Sequence, residues 1–256
     1  MEGSGGRIAW KPENPAEGAL PGRWVSYADV QCSDLSPVPE WAPDGSGTWS
    51  YSELPEAYET FSDAASEHAA RLRTTAPLEN TWGAGMGFEF SEPPLGTDPA
   101  RVPQPCTNGA VRDLDYPAVP VDLSGYSGLV FWAMAKKDAG ATTILVQFQD
   151  ENTDPRGGIC NPMPNSVDAC YNGYGVLLTL GDTLTRYEID FSELEQNPLW
   201  GHRPKPSVFD AEHAYGLVFQ VDTPGGTCTA PITCVGGPPE LTFDVWVDDL
   251  YFVKRR

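Results

Sequence analysis

Phe243-Asp244-Val245-Trp246-Val247-Asp248-Asp249-Leu250-Tyr251-Phe252 decides the fold. A run this rich in β-branched and aromatic residues belongs in a strand, and two adjacent carboxylates inside it need a reason. One reading is a β-bulge at a sheet edge, where a solvated Asp pair opposes edge-to-edge aggregation. The other is that one carboxylate points inward and binds a hard cation, because a buried Asp is otherwise costly and an oxygen-ligated Ca²⁺ removes that cost.

Working outward, the same signature recurs. Trp82, Ala84, Met86, Phe88 and Phe90 fall on one face of a period-two segment, with Gly83, Gly85 and Gly87 on the other. That glycine stripe lacks the Gly-x-Gly-x-x-Gly spacing of a dinucleotide loop; its bare face lets a backbone, a ring or a ligand come close, with packing as the ordinary explanation. Further strands are expected at Arg23–Asp29, Leu129–Ala135, Thr143–Asp150, Gly173–Leu180, Arg186–Phe191, Tyr215–Asp222 and Thr242–Val253. The one helix candidate, Ala64–Leu72, is short and reads equally well as a strand. Many short strands with Gly/Pro-rich connections indicate an all-β sandwich or jelly roll, expected as one domain over 1–256.

Charge narrows the partners. Lys plus Arg number 16 against 36 Asp plus Glu, a formal net charge of −20, which repels nucleic acid and anionic membrane surfaces and suits neutral glycans, cations or basic proteins. A hydrophobic content of 40% with 8 Trp, 10 Tyr and 10 Phe is too rich for disorder, so the acidity reads as a solvated shell around a core. No apolar run is long enough to insert in a membrane.

Six cysteines in a Gly- and Pro-rich chain point to an oxidising compartment. Proximity favours Cys160 with Cys170 and Cys228 with Cys234, each pair bracketing a polar loop, which leaves Cys32 with Cys106. No Cys-x-x-Cys unit or suitably spaced His supports zinc instead. Met1-Glu2-Gly3-Ser4-Gly5-Gly6 shows no leader-like apolar run, so secretion or display at a cell surface is an expectation of composition and cysteine content.

Catalytic motifs are sparse. The three histidines, His68, His202 and His213, form no His-Glu-x-x-His, and Gly125-Tyr126-Ser127-Gly128 is not a nucleophile elbow. A glycosidase needs only a carboxylate pair, which remains an alternative among so many acids. Sugar binding has a clearer basis, since pyranose rings pack their C–H faces on aromatic rings and offer hydroxyls to amides and carboxylates. In Thr143–Asp150, Gln147 and Gln149 alternate with Ile144, Val146 and Phe148; in Tyr215–Asp222, Gln220 and Asp222 share one face. These polar faces, with Trp132, are read as a concave cleft, the ordinary alternative being a plain solvent-facing sheet. Trp200 and His202 are candidates for its rim, unless Trp200 is a buried anchor of its loop. Asp150-Glu151-Asn152-Thr153-Asp154 has a calcium-like Asp-x-Asn-x-Asp spacing but lacks the glycine and terminal Glu of an EF-hand.

Four phrases together carry a family resemblance. The closing strand, Asp122-Leu123-Ser124-Gly125-Tyr126-Ser127-Gly128-Leu129-Val130-Phe131-Trp132-Ala133, Arg186–Leu194 with Gln196, and Ala214–Val221 resemble, in order and spacing, strands of the family 11 and related carbohydrate-binding modules. These are galactose-binding-like jelly rolls attached to secreted bacterial glycoside hydrolases. The resemblance implies a jelly roll of two antiparallel sheets and non-catalytic polysaccharide binding. It also implies a structural Ca²⁺ joining the first residues to the last strand, with Glu2 and Asp248 as ligands and Asp249 as the fallback if a bulge reverses the alternation. The chain departs from compact modules in cysteine-bearing insertions at Ser33–Pro55 and Asn161–Tyr171. A structural or adhesive surface protein of the same fold, without a sugar site, is the second reading.

Overall fold

The computed structural model describes residues 119–136, 140, 142–162, 166–221 and 243–254, together with the segments 23–28, 35–36, 52–53, 68–74 and 84–90. Among them regular structure is strand, with three short 3₁₀ turns and no α-helix. The strands are β1 (Arg23–Ala28), β2 (Leu35–Ser36), β3 (Ser52–Glu53), β4 (His68–Thr74), β5 (Ala84–Glu89) and β6 (Tyr126–Ala135). They continue as β7 (Thr143–Asp150), β8 (Tyr174–Thr179), β9 (Thr185–Asp190), β10 (Ala214–Val221) and β11 (Asp244–Lys254). The described part of the ambiguous helix candidate, from His68 to Leu72, is therefore in the strand β4.

Two antiparallel sheets result, a five-stranded one in the order β1-β5-β10-β7-β8 and a six-stranded one in the order β2-β4-β11-β6-β9. From β4 onward the chain crosses between the sheets at every step except β7 to β8. This interleaving is what lets one core be filled from both sides, and it makes the fold a jelly-roll β-sandwich. Met86, Phe88, Phe131, Ile144, Val146, Phe148, Leu217, Phe219, Val245 and Val247 alternate inward into that core. Each fully buried side chain of this size contributes about 1.5–3 kcal/mol. Phe148 anchors an aromatic cluster at one end, its ring 5.2 Å from both Phe191 and Phe209 and 6.2 Å from Phe252.

The closing segment is the strand expected, but not an edge: β11 lies between β4 and β6. Its bulge is real. Asp248 pairs with Trp132, the register then breaks until Tyr251, and the inward positions pass from Val245 and Val247 to Leu250 and Phe252. A bulge thus serves here to re-phase a central strand, with its strong local twist, rather than to blunt an edge.

Candidate functional site

The alternation of β7 puts Leu145, Gln147 and Gln149 on the face opposite the core. Gln147 stands between Val218 of β10 and Gly175 of β8, and Leu145 between Gln220 and Leu177. Gln149 pairs with Gly216, and the rows continue across β10 to Gly87 and Gly85 of β5. Gln147, Gln149 and Gln220 therefore do gather on the outer face of the five-stranded sheet. Asp222 lies outside the described residues.

This surface is not the plain solvent-facing sheet held as the alternative. Gln147 and Gln149 are only 8% and 6% exposed. The Gln149 Oε1 is buried with no hydrogen-bond partner among the described residues. Leaving such an acceptor unmet costs about 1–3 kcal/mol. The amide head lies over Gly173, where a Cβ would come 2.6 Å from Nε2 and 2.5 Å from the Phe148 carbonyl oxygen. Only glycine at that position lets β8 approach so closely.

Trp132 does not join this face. It sits on β6 in the other sheet, where it packs with Met134, Leu184 and Trp246 on the surface turned away from the core. Asp248, paired with Trp132, lies on that side of the six-stranded sheet and not between the sheets, and its Oδ2 is buried there. Of the other proposed ligands, Glu2 lies outside the described residues and Asp249 is described in its backbone alone.

Next to Gln149 is a loop assembly organised by Asn172, which is 2% exposed. Its Nδ2 donates to the carbonyls of Asn197 (3.1 Å) and Trp200 (2.6 Å), and its Oδ1 accepts from the Asn197 N–H at 3.0 Å. Gln196 Nε2 donates to the carbonyls of Asn172 and His202, at 2.8 and 3.0 Å, while its Oε1 accepts from Ser207 Oγ at 2.6 Å. Gly201, at φ 73°, fits because a Cβ there would meet Asn172 Cβ at 2.5 Å. The Trp200 side chain is thus not a buried anchor: Asn172 holds the loop, and the indole is 45% exposed. His202 donates its backbone N–H to Ala169 and has its ring 3.8 Å from the Asp168 carboxylate.

The Cys160–Cys170 disulfide is formed as spacing predicted. Cys32, Cys106, Cys228 and Cys234 lie outside the described residues.

The Asp150–Asp154 turn is held by its own hydrogen bonds. The buried Asp150 carboxylate accepts from the backbone N–H groups of Asn152 and Asp210, both at 3.0 Å, and from Thr153 Oγ1 at 2.9 Å. Burial raises its carboxyl above the usual carboxylate value despite those donors. Asp154 is taken by Arg156, whose Nε and Nη2 approach to 2.8 and 2.7 Å. Nearby, Glu151, Asp210 and His213 each bring one potential ligand atom within 4.8 Å of the others. Asp210 is already committed, since Oδ1 accepts from Glu212 N–H and Oδ2 contacts His213 Nδ1 at 2.8 Å.

That contact raises the His213 pKa, the hydrogen bond to Asp210 first and the charges of Asp210, Glu151 and Glu212 adding to it. Stability from this ionised pair is fully present below the ordinary imidazole value and is lost as pH rises through the raised one. Unfolding measured across that window should show wild type losing a share of stability that His213→Gln does not. Parallel pH profiles would contradict the pairing.

The site and fold together define a jelly-roll sandwich with a sheltered amide row on one sheet. No family model matches the chain, and no curated protein sequence matches it. Among solved structures it is similar to the family 11 carbohydrate-binding module from Clostridium thermocellum in complex with a β-1,3-1,4-mixed-linked tetrasaccharide. The identity is 11%, covering 97% of this chain and 96% of that one, with a TM-score of 0.45. A family 11 module studied in solution gives 12% identity, 100% and 99% coverage and a TM-score of 0.48. A family 30 carbohydrate-binding module gives 13%, 91% and 99%, and 0.39.

Proposed function

We propose that this chain is a non-catalytic, extracellular glycan-binding module whose ligand lies on the outer face of the five-stranded sheet. The observation that carries this reading is the buried, unmet Gln149 Oε1 within the Gln147/Gln149/Gln220 row. An acceptor kept from water over Gly173 and Gly216, on a sheet face that farther along also carries Val218, Leu145 and Leu177, suits a ligand that brings hydroxyl donors on an apolar body. A pyranose has both. The net charge of −20 favours neutral over anionic polysaccharides. The formed Cys160–Cys170 bridge supports an oxidising, exported setting.

Native affinity electrophoresis tests the reading. Wild type should be retarded in gels containing a neutral glycan, such as a β-1,3-1,4-mixed-linked glucan, and not in gels containing a sulfated or uronic polymer. Free migration in every neutral gel would favour the adhesive reading instead.

The proposal includes a structural calcium held by Glu2 and Asp248 with backbone carbonyls, Asp249 being the fallback for Asp248. Its support is the bulge after Asp248, because bulges turn backbone carbonyls out of the ladder and Ca²⁺ takes oxygen ligands of that kind. An ion bound only by the folded state would stabilise it by about 2.7 kcal/mol at a hundred times its Kd. EDTA should accordingly lower the melting temperature, and Asp248→Ala should abolish the response to added Ca²⁺. Identical melting with and without chelator, in protein shown by elemental analysis to be metal-free, would refute it.

A further inference from the structure

We infer that Tyr171 is the stacking residue of the glycan site, displayed on its rim to receive the C–H face of a sugar ring; this rests on the glycan reading above. Tyr171 is a non-glycine residue at φ 73°, in the left-handed region that a large side chain rarely occupies. Such a conformation persists only where the surroundings over-determine it, and it is a pointer to function. The surroundings here do so. The Tyr171 N–H donates to the Thr153 carbonyl at 2.7 Å, and the residues on either side, Cys170 and Asn172, are 1% and 2% exposed. Cys170 is fixed through its disulfide to Cys160 and through its N–H to the Asn161 carbonyl at 2.9 Å.

Between these two buried neighbours the Tyr171 side chain is 52% exposed. The fold therefore holds a strained backbone in place and leaves the ring half in solvent. A tyrosine serving only to fill the core would not need this.

Its position fits the amide row by two routes. Thr153, which receives the Tyr171 N–H, lies in the turn that follows Gln149 at the end of β7, with its hydroxyl bonded to Asp150. Gly173, two residues after Tyr171, is the position that Gln149 covers. A sugar ring whose hydroxyl meets Gln149 Oε1 is thus next to the segment that presents Tyr171. The exposed Trp200, whose carbonyl is held by the same Asn172, offers a second ring on that rim. A rigid aromatic surface beside a hydrogen-bonding amide is the combination that recognises an amphipathic ring.

The test compares Tyr171→Gly, which suits the left-handed backbone but removes the ring, with Tyr171→Phe, which keeps the ring and removes the hydroxyl. Both are checked for cooperative thermal unfolding, and their dissociation constants for β-1,3-1,4-mixed-linked glucan are measured by affinity electrophoresis alongside Gln149→Met. The glycine variant should bind at least about tenfold more weakly, the scale of an aromatic contact, while phenylalanine binds within about twofold of wild type. Equal binding by wild type and Tyr171→Gly, with Gln149→Met impaired, would overturn this assignment and leave the glycan reading standing. No retention of wild type by any of a panel of neutral glycans would overturn both. Should Tyr171→Gly fail to fold, Tyr171→Asn, which also tolerates the left-handed region, replaces it under the same criteria.

Discussion

Asn172→Ala should destabilise the protein by about 3 kcal/mol, a fall of about 6–10 °C in melting temperature for a chain of this size. The substitution deletes three hydrogen bonds at a buried position, and it strands the carbonyls of Asn197 and Trp200 and the N–H of Asn197. Unmet buried groups, more than the lost bonds themselves, set the magnitude. The Gly201 contact survives, because alanine keeps the Cβ it rests on. Denaturant unfolding checks this. A loss below about 1 kcal/mol would mean that the 196–203 loop is held by something other than Asn172.

Gln149→Met should separate binding from stability. Methionine fills a similar volume without the orphaned acceptor, and replacing an unmet polar group by an apolar one of like shape is neutral or stabilising. The melting temperature should therefore stay level or rise while glycan affinity falls at least about tenfold, because the hydrogen bond proposed from the sugar to Gln149 disappears. A residue retained for the fold would show the reverse, lower stability with unchanged affinity. Melting curves and affinity electrophoresis on the same preparation decide between these outcomes.

What the sequence made legible was the strands, and the reason is physical: β5, β7 and β9 alternate core-facing and outward residues, while β6 is a continuous β-branched and aromatic run because both its faces are covered. β2 and β3, at two residues each, are too short to show a period. Alternation also says which residues share a face of one strand but not which sheet the strand joins. That is why alternation puts Gln147 and Gln149 on one face of their strand, and Gln220 on one face of its own, yet gives no sign that Trp132 belongs to the opposite sheet. The Asp248–Asp249 pair signalled the bulge, yet nothing local to those residues distinguishes a central strand from an edge.

The loop chemistry was harder to see. Asn172 bonds to residues 25 and 28 positions away, a separation at which no short motif operates. Tyr171 shows nothing unusual in the sequence, since its left-handed backbone is imposed by the disulfide, by Thr153 and by Asn172 together. Trp200 stands in the Pro198–His202 loop, where no alternation tells a buried ring from an exposed one, and its side chain is exposed. The carboxylate of Asp150 illustrates the converse: a spacing that resembles a calcium loop is consumed by the turn's own N–H and hydroxyl donors.

The most direct test of the central claim is a chemical-shift titration of the isotopically labelled protein with a β-1,3-1,4-mixed-linked glucan oligosaccharide. The side-chain amide resonances of Gln147, Gln149 and Gln220 should move in a saturable way, with Gln149 among the largest changes, while the indole of Trp246 on the opposite sheet stays still. Saturable shifts confined to the Trp132–Trp246 face, or no shifts with any neutral oligosaccharide of a panel at millimolar concentration and with an intact fold, would contradict it.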